Sequence, residues 1–564
     1  MYGFNITKKT QRSEKNEMHC KNEICFEDFV CSNLMISKFQ DDKIFSETDR
    51  YIVILDGVIL NKMDLTKKTS NDSWLETVLS LYENNDETFF LDFRGSFAGA
   101  LYDKIKKKWI IFSDHIGSKF IYYSHTSEFF TCSLMISNVY ETLNRNKITY
   151  HLSTENSLLL LTYGFMLEDR TLCKEIKKIQ PGCYIVFENN IITEKRYYVI
   201  DNTPNASISE KDSVELIDYY FRQAVKNQFE KDNEYGYKHL VALSAGLDSR
   251  MTSWVADDMG YTNQLNFTFS QTNYWDEIIP KKIAMDLKHE WIFKALDNGL
   301  WLYDVDDITY STGGNVLYYG TAHGNSLIKY LNFNNLGLIH SGQIGDVIIG
   351  SGVKREKDKY EFGDGAYSLK YIKEINFMPQ HFYKNKEVAL FYYRYFNGTN
   401  NGLQNIYNYT ETLSPFLDLD LLKNVLSIPI KLRSNHYIYK KWIIAKYPQA
   451  ANYVWEKIGC KITEPIIRIG GRDIPIRKLP SKILTKMIPK KRGINSVHHM
   501  NPVDFYLTTN KQLALNLNNH FKYIDYIEDK KLKEIIVNIK DNGTAMEKIQ
   551  AISLLSAIKV FYIS

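Results

Sequence analysis

Two rhythms of apolar and polar positions divide the chain. Up to about residue 200, short β-prone runs are cut by tight polar turns. Residues 51–55 form one run, Asp56-Gly57 reads as a hairpin turn, and residues 58–60 resume the strand. Residues 95–102 and 109–112 repeat this across a charged turn at 103–108, and runs at 119–123 and 129–132 follow. Short strands at this spacing predict a two-sheet sandwich with few helices.

Beyond residue 205, strands alternate with helices. Residues 213–231 carry helical periodicity, 239–243 are a short apolar run, and a helical pattern runs from Asp248 to a stop at Gly260. Residues 264–269 and 336–340 read as further strands and 276–287 as a helix, which predicts a parallel sheet covered on both faces. From Met500 to Ser564 the pattern is that of a helical cap ending in an apolar helix over 549–563. The division falls at 1–205 and 206–564.

The chemistry gathers where strands end. After 239–243 come Ser244, Ala245 and Gly246, a small-residue turn into a helix, so backbone N–H groups and the positive helix end converge on one spot suited to phosphate. Leu243, Leu247, Asp248, Ser249 and Arg250 complete this candidate loop, with Ser244, Ser249 and Arg250 as side-chain donors. The strand at 336–340 runs into Ser341, Gly342, Gln343, Ile344, Gly345 and Asp346. Ligands of parallel sheets bind beyond the carboxyl ends of the strands, so both loops can share one edge. Asp248 and Asp346 are then placed to share Mg²⁺, a hard cation that takes carboxylate and phosphate oxygens. Plainer readings stand beside these: an ordinary strand-to-helix turn for 244–246, a helix N-cap for Asp346, and an exposed surface charge for Lys457.

Bulk properties narrow the classes. A chain of 564 residues is too long for one ordinary core. With 44% hydrophobic and 24% charged residues it has the composition of a globular protein, and a net charge of +4 gives no reason to invoke nucleic acid. The seven cysteines, without CxxC pairing, read as reduced thiols. No apolar run is long enough to span a bilayer and residues 1–17 lack a signal-peptide core, so the cytoplasm is the expected location. The basic stretch 476–492 carries seven Lys and Arg and three prolines lie within 475–489, which suits a solvated loop or an anionic surface.

The loop 244–249, SAGLDS, resembles the SGGLDS pyrophosphate loop of ATP-pyrophosphatases. Arg94-Gly95-Ser96-Phe97-Ala98, Ser113-Asp114-His115-Ile116-Gly117 and Pro181-Gly182 resemble RGxFA, RDxxG and the closing segment of the asparagine synthetase glutaminase domain. Ser341 to Asp346 is similar to that family's SGxGxDE, and Glu411 to Asp418 to its ExRxPFLD. The resemblance covers nearly the whole chain. It implies an α+β, N-terminal-nucleophile (Ntn)-hydrolase-like sandwich of two antiparallel sheets with flanking helices. An α/β doubly wound, adenine nucleotide α-hydrolase-like domain follows.

It further implies that ATP and Mg²⁺ bind at 243–250 with Ser341 and Gly342, and that Asp248 and Asp346 hold the metal. Lys457, with Asp346, would serve catalysis by balancing negative charge on the leaving pyrophosphate. Glu411 and Asp418 are either catalytic or structural. The glutaminase chemistry does not carry over. Tyr2 stands where a nucleophilic cysteine is needed, Asp56-Gly57-Val58 replaces the family's Asn-Gly-Glu, and only Asp92 matches a substrate contact. Ala245, Gln343 and Val347 depart from the synthetase pattern.

The expected activity is therefore amide-bond formation through an acyl-adenylate, with ammonia or an amine as nucleophile. A small-molecule, peptide or sugar-acid carboxylate is the substrate class, and a separate ammonia source or processing partner and a homodimer stay open. Ring closure like that of lasso-peptide cyclases or β-lactam synthetases, and a non-catalytic nucleotide-binding relative, are the alternatives.

Overall fold

The computed structural model describes residues 2–8, 22–469, 472–476 and 500–563. Cys20 and, beyond Ile476, the basic stretch lie outside the described residues.

Among the described residues the N-terminal half holds twelve strands: β1 Gly3–Lys8, β2 Glu23–Phe26, β3 Phe29–Leu34, β4 Ile44–Glu47, β5 Tyr51–Ile59, β6 Gly95–Asp103, β7 Lys108–Ser113, β8 Tyr122–His125, β9 Phe130–Ser133, β10 Lys177–Lys178, β11 Cys183–Glu188 and β12 Ile191–Arg196. They form two antiparallel sheets, ordered β10-β8-β9-β1-β3-β2 and β12-β11-β7-β6-β5-β4. Strand β5 explains its own unbroken hydrophobicity. Ile52 and Ile54 face the other sheet with Phe4, Ala98 and Ile111, while Val53 and Leu55 pack outward against α1 Lys62–Thr69 and α2 Trp74–Asn85. A sheet buried on both faces needs that cover. Among the described residues four α-helices flank this half, α1, α2, α3 Ile136–Arg145 and α4 Thr154–Tyr163, few beside its strands.

Asp56-Gly57 is not a turn. Pairing of β5 with β6 runs unbroken from Tyr51 opposite Asp103 to Ile59 opposite Gly95. Gly57 takes φ +125°, and a Cβ there would meet the Ser96 carbonyl oxygen at 2.1 Å. The dipeptide is glycine because of close strand approach, not because the chain reverses.

In the C-terminal half, β13 Lys238–Ala242, β14 Gln264–Ser270, β15 Glu290–Ala295, β16 Leu336–His340 and β17 Thr412–Leu413 form one sheet in the order β15-β14-β13-β16-β17. All four pairings are parallel. Up to residue 348 the α-helices of this half are α5 Glu210–Glu234, α6 Leu247–Asp258, α7 Trp275–Leu287, α8 Val305–Thr312, α9 Tyr319–Ile328 and α10 Gly345–Ile348. Both faces are covered. Val241 belongs to the core built with α5, α6 and α7, whereas its neighbour Leu240 packs with Leu327 and Ile328 of α9. The chain leaves β13 toward β15 and returns to β16 on the other side, so the direction of winding switches between β13 and β16. That is where a doubly wound sheet opens a crevice.

The tail forms a helical cap whose last α-helix is Ala545–Ala557, continued by a π-helical turn Ile558–Tyr562. Phe561 stacks on Tyr140 of α3 at 4.1 Å, tying the end of the chain to the N-terminal half. Among the described residues no helix is long and apolar enough to cross a membrane.

Candidate active site at the sheet switch point

Beyond β13 the chain folds onto itself before α6 begins. Ser244 N–H donates to Ser249 Oγ at 2.8 Å, the two serine hydroxyls lie 2.8 Å apart, and Gly246 N–H donates to Ser244 Oγ at 3.2 Å. Ala245 N–H donates to Asp276 Oδ1 at 2.7 Å, which ties the loop to the start of α7. Gly246 is the N-cap of α6 and no side chain caps it, and Asp248 is the acid in the helix's first turn, beside its positive end. Ala245 is outside the set of positive-φ residues, so alanine stands there without backbone strain.

The second loop touches the first because two glycines let it. A Cβ on Gly342 would lie 2.2 Å from Ser249 N, and one on Gly345 would lie 2.9 Å from Asp248 Cγ. Asp346 N–H consequently donates to Asp248 Oδ2 at 2.9 Å, while the Tyr439 hydroxyl donates to Asp248 Oδ1 at 2.8 Å. Asp346 lies in the first turn of α10 and does not cap it, since Ile344 is the N-cap. Lys457 Nζ stands 3.7 Å from Asp346 Oδ2 and 3.3 Å from His436 Nε2.

Electrostatics separates the two carboxylates. Burial, followed by the nearby charge of Asp346, pushes the Asp248 carboxyl up to about 7. Burial also pushes Asp346 up, but its contacts with His436 and Lys457 outweigh that and hold it below the ordinary value. Two acids crowded this way are short of one positive charge, which a divalent cation with oxygen affinity would supply.

Asp248 faces a cavity of about 540 Å³. Ser244, Gly246, Ser249, Ser341, Gly342 and Gln343 of the two loops line it, together with Phe267, Phe269, Gly320, His323, Gly324 and Asn405. No atom lies within 4 Å of a Cβ built on Gly320, so that wall is bare backbone facing open space.

Not every sequence-predicted residue points inward. Leu243 lines the cavity and is buried, Ala245 is buried, and the Leu247 side chain belongs to the core under α6. The Arg250 guanidinium, read as an anion donor, turns away. It is fully buried and donates to the carbonyls of Ala245, Ala450, Tyr453 and Val454, clamping the loop to a distant segment. The four donors of its two terminal nitrogens are spent on backbone oxygens that burial would otherwise orphan, while Nε is buried without a partner. Three neighbours escaped sequence reasoning. Asp276 was legible as the first turn of a helix after β14, whereas nothing in the sequence ties His436 or Tyr439 to a loop some 190 residues earlier.

The resemblance places Tyr2, Asp56 and Asp92 at a glutaminase pocket. Tyr2 is buried and its hydroxyl donates to Gln404 Oε1 at 3.1 Å. Burial first, then nearby Tyr407, pushes this phenol well above its ordinary value. Asp56 pairs with Lys119 and Lys43, each at 3.0 Å, and Lys119 also holds Glu411 at 2.8 Å. Asp92 lies exposed, paired with Lys68 at 3.2 Å. Glu411 thus belongs to this buried cluster, and Asp418 N-caps the helix Leu419–Leu426.

Among the described residues, one group of three could ligate a metal by proximity, Asp232, His239 and His340. Its contacts, 2.9 Å from His239 Nδ1 and 2.7 Å from His340 Nε2 to the same carboxylate oxygen, are hydrogen-bond lengths. They bind α5 to β13 and β16.

Comparison with known proteins agrees with the N-terminal architecture. A glutamine amidotransferase domain family matches residues 14–198. A Methanocaldococcus jannaschii protein provisionally named glutamine-hydrolyzing asparagine synthetase 2 is 25% identical over 287 residues, covering 47% of this chain and 54% of its own length. A second protein of that organism, provisionally named glutamine-hydrolyzing asparagine synthetase 1, is 21% identical over 474 residues, covering 80% of this chain and 76% of itself. The chain thus spans about half of the first relative. Among solved structures, the glutamine phosphoribosylpyrophosphate amidotransferase of B. subtilis, complexed with ADP and GMP, aligns over 46% of this chain and 58% of its own. The identity is 9% and the TM-score 0.23, too low to carry an argument. The N-terminal half thus matches a glutamine amidotransferase domain family, and the chain is similar to provisionally named asparagine synthetases whose matches extend beyond that half.

Proposed function

We propose that the chain is an ATP-dependent, amide-bond-forming ligase of the asparagine synthase type, with an adenine nucleotide α-hydrolase-like C-terminal domain. The observation that carries this reading is the hydrogen bond from Asp346 to Asp248, which joins two loops from adjacent parallel strands at the mouth of the cavity. In the reaction, a substrate carboxylate oxygen attacks the α-phosphorus of ATP, the P–O bond to pyrophosphate breaks, and an acyl-adenylate forms. Ammonia or an amine then attacks the acyl carbon, AMP leaves, and the nitrogen loses a proton.

Each residue has a task that its position supports. The uncapped start of α6 with Ser244 and Ser249 receives the phosphates. Asp248 and Asp346 would hold Mg²⁺, which neutralises phosphate charge when bound. Lys457 meets the charge that grows on the departing pyrophosphate. Arg250 keeps the loop in shape from behind and makes no ligand contact.

The N-terminal half contributes no glutamine hydrolysis. A buried phenol and an aspartate neutralised by two lysines offer neither nucleophile nor oxyanion donor. Nitrogen then comes from free ammonia, from a partner, or from an amine within the substrate, as in ring closure. Amidation of a sugar acid in surface-polysaccharide synthesis is one such use. A second reading, a nucleotide-binding relative without catalysis, draws on Gln343 and Val347, which leave the second loop short of carboxylates.

Pyrophosphate–ATP exchange, scanned over amino acids, peptides and uronic-acid nucleotides, tests the reading. Exchange with one class establishes adenylation and names the carboxylate, and Asp248→Asn abolishes it. Exchange that survives Asp248→Asn overturns the loop assignment, and Mg·ATP binding without exchange for any class favours the non-catalytic relative.

A further inference from the structure

Lys457 is a half-exposed side chain on a flexible stem, yet three groups converge on it. Its Nζ lies 3.3 Å from His436 Nε2, 3.7 Å from Asp346 Oδ2, and 5.7 Å from the centre of the Trp455 ring. The His436 ring in turn packs on Trp455 at 5.3 Å, with the planes 65° apart. Two unusual backbone features put His436 there. Asn435 and His436 are consecutive left-handed residues, at φ 57° and 59°. Gly350 supplies the room, since a Cβ on it would meet His436 Cδ2 at 2.7 Å and the Asp346 carbonyl at 2.3 Å.

A left-handed residue other than glycine is strained, and asparagine tolerates that region better than most. Strain of this kind persists where the surroundings impose it, and it gathers at functional sites. Here the strained residue carries the ring that touches the proposed catalytic lysine. An ammonium has only donors, so at 3.3 Å it donates to His436 Nε2, which assigns the ring proton to Nδ1. His436 Nε2 also lies 3.9 Å from Asp346 Oδ2, so the ring faces the carboxylate as well as the lysine.

We infer that His436 is a positioning residue: it holds the Lys457 ammonium beside Asp346, aimed at the phosphate site, before substrate arrives. The inference rests on the ligase reading for its catalytic consequence but not for its geometry. A lysine fixed in advance loses less side-chain freedom when charge develops on the leaving group.

Two variants of the full chain separate positioning from structure. His436→Gly removes the acceptor and relieves the left-handed strain, so its thermal midpoint stays level or rises. Its kcat for pyrophosphate–ATP exchange falls about 10- to 100-fold while KM for ATP stays put. His436→Gln carries an amide oxygen to the depth of Nε2 and restores most of kcat. Acetylation of Lys457 by acetic anhydride, followed by mass spectrometry, reads the geometry without the reaction. It is severalfold faster in His436→Gly than in wild type, and near wild type in His436→Gln. Unchanged kcat and an unchanged labelling rate in His436→Gly overturn the inference. Should the wild-type chain show no exchange, the ligase reading falls alone and labelling decides the role of His436. Equal rates in all three proteins reject it, and acceleration confined to the glycine variant upholds it.

Discussion

His115 shows how one buried group sets a pH limit. Its ring lies between Tyr197 at 5.2 Å and Tyr198 at 5.0 Å, and burial, aided by the charge of Arg94, pushes its pKa down to about 4. An unfolded histidine titrates near 6.5, so between those values the unfolded chain takes up a proton that the folded chain refuses. Stability is therefore lost as pH falls through that window, by at most about 3 kcal/mol from this residue. His115→Phe flattens the loss. Urea titrations at pH 7 and 4.5 measure it, and equal slopes with pH in both proteins would remove His115 from the account.

At the scale of elements, glycines divide into those that permit contact and those that leave space. Gly342 brings the second loop against α6, so Gly342→Ala forces the loops apart, costs about 1–3 kcal/mol, and weakens exchange. Gly320, in the first turn of α9 with open space around it, behaves in the opposite sense. Gly320→Ala gains roughly 0.5–1 kcal/mol in helix stability while its methyl enters the cavity and weakens nucleotide binding. Calorimetric midpoints alongside ATP titrations test the pair. A Gly320→Ala protein that is both less stable and unchanged in binding would contradict the assignment of that wall.

Across the whole molecule, the two halves are joined by buried charge. Lys43, Asp56 and Lys119 come from the N-terminal sheets and their connections, and Glu411 immediately precedes β17 of the parallel sheet. Burial opposes charging of Asp56, yet the two lysines outweigh it and hold its carboxyl down at about 2. Removing one partner leaves uncompensated charge, so Lys119→Met costs about 3–5 kcal/mol and lowers the urea midpoint. The same cluster predicts that incubation with glutamine yields no glutamate above a heat-denatured control. Steady glutamate release would overturn the assignment of this half as a scaffold.

The sequence alone determined whatever follows from local periodicity and short motifs. The strand at 336–340, the helix stop at Gly260 and the alternation of strands with helices were all legible, because side-chain period and turn chemistry act over a few residues. The loops at 244–250 and 341–346 could be placed at one edge for the same reason: each follows a strand of a parallel sheet. Only tertiary structure decided where side chains go once remote segments pack. It turned Arg250 toward carbonyls 200 residues away, straightened Asp56-Gly57 into a strand, covered β5 with two helices, and brought His436 and Tyr439 to the acidic pair. Those outcomes depend on desolvation and steric fit between segments distant along the chain, and no local pattern encodes either.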